Sequence, residues 1–179
     1  MKLPLLAPAA ACALLAGLPA SAHVVLEYQV APADASYKAA FKVGHGCDGS
    51  PTRQVSVAIP AGVLSAHPMP KPGWALEVQR APLARPADLH GRTITDAVVR
   101  VTWTARTPAD MLAAEHYDEF VLQARMPSQP GPLYWPVTQV CEKGRHDWAE
   151  VPAPGQKFSD LNSPAALLEV LPAQGGHSH

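Results

Sequence analysis

The sequence predicts an all-β protein built as an antiparallel β-sandwich. Several short segments alternate polar and apolar residues, as half-buried strands do, and turn residues separate them. The 179 residues include 20 prolines, which disfavour a helical protein. About eight strands at such spacing are typical of a sandwich of the immunoglobulin or cupredoxin-like kind.

Each predicted strand is read from its alternation or its β-branched residues. The strands are, in chain order, 24–30, 37–43, 53–59, 74–79, 97–103, 119–125, 133–141 and 147–151. Glycine- and proline-rich segments predict turns at 44–51, 60–73, 82–91 and 127–131. A short helix is predicted near 108–116. Trp74 and Trp103 lie in alternating strands and are predicted to be core residues.

The first 22 residues have the pattern of an export signal. Lys2 precedes an uncharged apolar run at 3–18, and Ala20-Ser21-Ala22 is a small-x-small cleavage site. The run is too short and interrupted for a transmembrane helix, and no later segment approaches about 18 apolar residues. We therefore predict a periplasmic or secreted protein with no transmembrane segment in the mature chain.

The domain organisation follows from this cleavage and from a change in composition. The signal peptide is 1–22, and one β-sandwich domain is predicted at 23–151. A Pro/Ala/Gly-rich C-terminal extension is predicted at 152–179, with a short helix at 163–171 and a mobile tail containing His177 and His179.

Charge and motifs exclude several functions. The net charge is −1 and becomes one unit more negative when Lys2 leaves with the signal. Because the chain has no basic patch, nucleic-acid binding has no electrostatic support. A serine triad, a P-loop and a dinucleotide fingerprint are absent, so the sequence predicts no enzyme of those classes.

Two of the three cysteines, Cys47 and Cys141, remain after cleavage. In an oxidising compartment an even pair most simply forms one disulfide. The alternative is a pair of thiolate metal ligands, although their spacing matches no zinc pattern.

Cleavage after Ala22 makes His23 the first residue of the mature protein. The α-amine and the imidazole Nδ1 of an N-terminal histidine can close one chelate ring on a metal ion. Such a nitrogen pair suits Cu(II) better than most biological metals.

Three further segments carry a family resemblance. They are Phe41-Lys42-Val43-Gly44-His45-Gly46-Cys47-Asp48-Gly49-Ser50-Pro51-Thr52, Pro70-Lys71-Pro72-Gly73-Trp74 and Leu133-Tyr134-Trp135-Pro136-Val137-Thr138-Gln139-Val140-Cys141-Glu142. In this order, after a signal that ends before His23, they resemble the YcnI-like domain family of exported bacterial proteins. The resemblance runs from residue 23 to about 151.

The resemblance implies a β-sandwich that binds copper through the mature N-terminal histidine. We expect the bound ion to be Cu(II), with Cu(I) as the alternative redox state. It implies His23 as the brace and Trp135 as a tryptophan over the site. A carboxylate completes the coordination in the family, but the matching stretch here holds His45 and no acid. His45 is the replacement ligand, since a glycine on each side lets its loop approach a metal closely.

Each of these residues has an ordinary alternative. His45 can simply belong to a turn near the disulfide, and Trp135 can be a core residue. The sequence does not assign Trp148 to the core or to the site. Asp118, Glu119 and Glu142 are candidate further ligands or ordinary surface carboxylates, and four histidines are predicted to be exposed: His67, His90, His116 and His146.

Three functions remain in competition. The favoured one is a non-enzymatic copper-binding protein for periplasmic storage, buffering or delivery. Its partners would be the copper ion, periplasmic copper chaperones or a membrane copper transporter. The second is a copper-dependent oxidative enzyme with a histidine brace, and the third is a structural or adhesive β-sandwich without a metal.

Overall fold

The computed structural model describes residues 23–89 and 91–173, which form strands and two 3₁₀ turns, Pro108–Asp110 and Phe158–Asp160. The strands are β1 (Val25–Leu26), β2 (Val30–Pro32), β3 (Ser36–Val43), β4 (Thr52–Ala58), β5 (Ala66–Pro68), β6 (Trp74–Leu89), β7 (Arg92–Ala105), β8 (Asp118–Arg125), β9 (Gly131–Trp135), β10 (Val137–Cys141), β11 (Arg145–Trp148) and β12 (Ala166–Leu171). The predicted signal peptide, His90, His177 and His179 lie outside the described residues.

The strands form three sheets. A four-stranded sheet has the order β1-β3-β8-β5, a five-stranded sheet has the order β11-β10-β4-β7-β6, and a smaller sheet has the order β2-β12-β9. In the described residues the named strands pair antiparallel, except that β12 and β2 pair parallel. The predicted all-β sandwich is therefore confirmed, and the single predicted disulfide, Cys47–Cys141, is formed.

Aromatic side chains fill the core between the sheets. Phe120 packs edge-to-face against Trp74 and Trp103, with ring centroids 4.9 Å and 5.7 Å apart. Trp103 is fully buried, and its Nε1 donates a 3.0 Å hydrogen bond to the carbonyl of Met69. The prediction that Trp74 and Trp103 are core residues is confirmed.

Two predicted strands are interrupted, and two predicted turns are wrong in part. The segment 60–73 contains β5. The segment 24–30 is divided between β1 and β2, and Pro136, which has no N–H to donate, separates β9 from β10. Residues 82–89, predicted as a turn, continue β6 along its hairpin with β7. Prolines are tolerated there because β6 is an edge strand.

Both predicted helices are wrong. The segment near 108–116 contains only one 3₁₀ turn. The segment 163–171 contains strand β12, whose alternate residues Leu168 and Val170 are buried in the core. Alanine and leucine favour a helix locally, but pairing with β9 and β2 decides the conformation.

Strand β12 shows that the sandwich continues beyond the predicted boundary at residue 151. The chain after residue 151 was predicted to lie outside the sandwich, yet β12 is the central strand of the smaller sheet. The sandwich therefore extends at least to Leu171. Among the described residues, no helix is long and apolar enough to cross a membrane.

Candidate metal centre

His23 lies two residues before the start of β1, which is an edge strand of the four-stranded sheet. In the antiparallel pairing of β1 with β3, Val25 lies opposite Lys42 and Leu26 lies opposite Phe41. If this register is continued two residues beyond the strand, His23 lies opposite Gly44. His23 is thus directed towards the loop that carries His45.

Trp148 links this edge to the other sheet. It ends β11, the edge strand of the five-stranded sheet, and its side chain is 5% exposed. The rings of His23 and Trp148 meet edge-to-face, with centroids 5.5 Å apart and an interplanar angle of 68°. The edges of the two sheets therefore meet at this indole.

The loop after β3 is closed by a tight turn. Cys47 and Ser50 exchange backbone hydrogen bonds of 3.0 Å and 2.8 Å. Between them, Asp48 and Gly49 have φ values of 48° and 80°. Asp-Gly is the sequence that such a two-residue turn with positive φ favours, since both residues tolerate the left-handed region.

Gly46 is required by close packing of the backbone. A Cβ atom at Gly46 would lie 2.0 Å from the carbonyl oxygen of Ser50. The Gly46 N–H also donates a 3.0 Å hydrogen bond to the carbonyl of Ala114. This glycine therefore serves the turn beside His45, whereas at Gly44 a Cβ would meet nothing within 4 Å.

The two glycines that flank His45 form a matched pair for mutation. We expect Gly46→Ala to lower the free energy of unfolding by about 3 kcal/mol or more, because backbone atoms must move to admit the methyl group. Gly44→Ala should change it by less than about 0.5 kcal/mol. Urea unfolding of both variants measures the difference. Equal free energies of unfolding would show that the backbone of the turn rearranges to admit the methyl group at little cost.

The disulfide fastens this turn to the five-stranded sheet. Cys47 and Cys141 have Cα atoms 5.9 Å apart and are separated by 94 positions in the chain. Cys141 is the last residue of β10, the strand that pairs with β11. The bond therefore holds the His45 loop beside β10 and its neighbour β11, which carries Trp148.

His45 is half-buried and has a defined ring orientation. Its Nδ1 donates a hydrogen bond to the carbonyl of Gly46. In this tautomer the lone pair is on Nε2, the usual arrangement for an imidazole that binds a metal. The ring lies 6.5 Å from Trp148, centroid to centroid, at an interplanar angle of 87°. Both sequence-predicted histidines are thus packed against the same indole.

Residues 23–170 match the family model described as Domain of unknown function (DUF1775). The chain belongs to this family. It is also similar to a solved structure titled "Crystal structure of an uncharacterized protein from Nocardia farcinica reveals an immunoglobulin-like fold". That match has 23% identity and a TM-score of 0.65, and covers 85% of this chain and 99% of the other. At this identity it establishes the fold alone. No curated protein matches the chain.

The DUF1775 domain of this chain includes a histidine that the sequence prediction placed among the exposed ones. His146 is half-buried, with its ring centroid 5.0 Å from Trp148 and 6.2 Å from His45. It was missed because β11 begins at Arg145, two residues before the predicted start. The spacing of His146 and Trp148, two residues apart, would have placed them on one face of a longer strand.

The structure brings Trp148, and not Trp135, against the histidines of the DUF1775 domain. Trp135 is fully buried and packs against Phe41, with ring centroids 5.7 Å apart. Its Nε1 has no hydrogen-bond partner among the described residues. The resemblance pointed to Trp135 through its segment, but burial places that side chain in the core.

The candidate carboxylates of the domain have other partners or are exposed. Asp118 forms a 2.7 Å ion pair with Lys71. Glu119 accepts a hydrogen bond from Tyr117, which with nearby negative charge raises the pKa of Tyr117 to about 12. Glu142 is exposed.

His, Cys, Asp and Glu side chains in 23–89 and 91–173 do not converge in groups of three that could hold a metal. A brace has a smaller requirement, since His23 and His45 would supply three nitrogens when the α-amine of His23 is free.

Proposed function

We propose that this protein is an exported copper-binding protein that stores, buffers or delivers copper outside the cytoplasm. Its site would be a Cu(II) brace formed by the mature N-terminal His23, with His45 as the next ligand. The protein would act by holding the ion and not as an enzyme.

The observation that carries the proposal is the convergence of His23 and His45 on Trp148. The two histidines are 22 positions apart, one before β1 and the other after β3, yet their ring centroids lie 5.5 Å and 6.5 Å from that of the same indole. A histidine that merely begins a strand has no need of this arrangement. Cleavage after Ala22 would add a free amine at the same place.

The donor set fits copper. The α-amine and Nδ1 of His23 and Nε2 of His45 are three nitrogen donors, the ligand type that Cu(II) prefers. The hydrogen bond from His45 Nδ1 to Gly46 orients that ring and fixes which nitrogen carries the lone pair. Acid should release the ion, because protons compete with copper for these nitrogens.

Trp148 takes the covering role that the sequence resemblance assigned to Trp135. Its side chain is 5% exposed and lies against both histidines, so it would limit access of water to a bound ion. An indole face can also attract a cation, which offers an interaction for Cu(I).

The start of the family match agrees with the predicted cleavage site. The DUF1775 match begins at His23, the residue that the predicted cleavage uncovers. The sequence resembles the YcnI-like domain family of exported bacterial proteins. That resemblance implies copper binding by this chain. Partners of matching chemistry would be periplasmic copper chaperones or a membrane copper transporter.

Substitution of the two histidines tests the proposal. EPR of the processed protein titrated with Cu(II) should show one tight type 2 site, and His23→Ala or His45→Ala should weaken binding by about 100-fold or more. His116→Ala is the control, since His116 is exposed and outside the cluster.

Three outcomes would contradict the proposal. Full binding after both substitutions would place the metal elsewhere, for example in the tail with His177 and His179. No binding by the unsubstituted protein would favour a structural sandwich. Oxidative cleavage of a polysaccharide by the copper-loaded protein with a reductant would favour an oxidative enzyme.

A further inference from the structure

Gln139 is a buried polar residue that contacts both sides of the candidate metal centre. It lies in the middle of β10 and is 1% exposed. Its Nε2 donates to the carbonyl of His45 at 2.7 Å and to the hydroxyl of Thr52 at 2.8 Å. Its Oε1 accepts from the indole Nε1 of Trp148 at 3.2 Å. Both amide donors and the carbonyl are thereby used.

From these contacts we propose that Gln139 is a positioning residue for copper, which sets the distance and orientation of His45 relative to Trp148. The inference rests on the proposed function, since it assigns a role within that same site. Gln139 itself does not touch the metal. It acts through one hydrogen bond to the loop of His45 and another to the ring of Trp148.

The network permits only one orientation of the Gln139 amide. In the reverse orientation, the amide nitrogen would face the Trp148 N–H, and the amide oxygen would face the His45 carbonyl. A donor would then face a donor and an acceptor would face an acceptor. Both pairs would lack a hydrogen bond in a buried site, which destabilises the fold. The side chain therefore acts as a rigid connection and not as an adjustable contact.

The arrangement of the strands explains why this connection matters. His45 follows β3 of the four-stranded sheet, whereas Trp148 belongs to β11 of the five-stranded sheet. Gln139 lies opposite His146 in the pairing of β10 with β11, so it is held in register with the strand of Trp148. A shift between the sheets would change the hydrogen bond from Gln139 to the His45 carbonyl, whereas the bond from Trp148 to Gln139 lies within the five-stranded sheet. Groups that orient metal ligands in this way commonly alter metal affinity when removed.

The alternative role is structural, because loss of any buried hydrogen bond destabilises a fold. Two substitutions in one network separate the roles. Gln139→Met keeps the length of the side chain and removes the bonds to both His45 and Trp148. Thr52→Val keeps the bonds of Gln139 to His45 and Trp148 and removes its third bond, that to the hydroxyl of Thr52, together with the 3.8 Å contact of that hydroxyl with the Sγ of Cys141. Thr52 is 0% exposed.

The experiment measures Cu(II) affinity, the EPR spectrum, tryptophan fluorescence and the melting temperature of the processed protein and both variants. We expect Gln139→Met to weaken Cu(II) binding by about 10- to 100-fold and to change the EPR parameters and the tryptophan quenching. Thr52→Val should lower the melting temperature while leaving copper affinity and the EPR spectrum unchanged.

The outcomes distinguish this inference from the proposed function. If Gln139→Met is folded and binds copper as the unsubstituted protein does, the positioning role is wrong. Equal losses of affinity in both variants would also overturn it, in favour of a structural role. If the unsubstituted protein binds no Cu(II), the proposed function itself fails.

A conservative variant covers the case in which Gln139→Met does not fold. Gln139→Glu has the same shape and still accepts from Trp148, but at a pH where its carboxylate is ionised it cannot donate to the His45 carbonyl. It should show weakened binding and an altered EPR spectrum. If neither variant folds, the role of Gln139 is structural and the inference is overturned.

Discussion

Retaining a few residues in front of His23 is expected to abolish tight copper binding, with a loss of affinity of about 100-fold or more. A protein that begins at Pro19 keeps every side chain of the mature domain. Its His23 nitrogen, however, becomes part of a peptide bond and cannot act as an amine ligand. The chelate ring of the brace is then lost, so copper would be held by separate imidazoles. Cu(II) titration followed by EPR measures the effect.

The choice of extension matters for this experiment. One or two added residues would create a new chelate from their own amine, the intervening amide and the His23 ring. Four added residues, Pro19 to Ala22, move the amine too far along the chain for that. Equal affinity of the extended and processed forms would show that the α-amine of His23 is not a ligand.

Removal of the disulfide is expected to give the largest loss of stability. The Cys47–Cys141 bond joins residues 94 positions apart, and closing such a loop lowers the entropy of the unfolded chain. In the chain-entropy model this stabilises the fold by about 4–5 kcal/mol. The Cys47→Ala/Cys141→Ala double variant should show this difference in urea unfolding. Both cysteines are buried, and alanine is chosen because its apolar side chain places no unpaired polar group there.

The same variant should lose copper affinity, because the turn that carries His45 is released from β10. Hydrogen exchange should increase first at the backbone N–H groups of Gly46 and Cys47, which are hydrogen bonded in this turn. The Gly44→Ala variant, which retains the disulfide, is the control for loop effects. A loss of stability below about 1 kcal/mol would mean that the reduced, unfolded chain is already constrained.

The prediction of the strands succeeded where local pattern and tertiary burial agree. The segment 53–59 alternates in sequence and lies in β4 except for its last residue, and the predicted segments 37–43 and 119–125 lie in β3 and β8. The prediction failed at β12, where local helix propensity opposes the pairing, and at 82–89, where two prolines lie in an edge strand. In both cases contacts distant in the chain outweigh the local preference.

The candidate site divides in a similar way. The sequence points to His23 through the cleavage site, and to His45 through the family resemblance, with two flanking glycines that permit the role. Trp148, His146 and Gln139 carry no such local mark. Their importance depends on which residues lie opposite each other in β10 and β11, and on the meeting of two sheet edges.

The sequence by itself therefore determined the all-β class and the pairing of Cys47 with Cys141, which follow from alternation and from cysteine number. The cleavage site and the family resemblance predicted the two histidines on which the copper proposal rests. Only the tertiary structure decided that Trp148 lies at the histidines while Trp135 is in the core, and that Gln139 connects His45 to Trp148. Those relations depend on strand register and sheet packing, which bring together residues about a hundred positions apart and which no local pattern encodes.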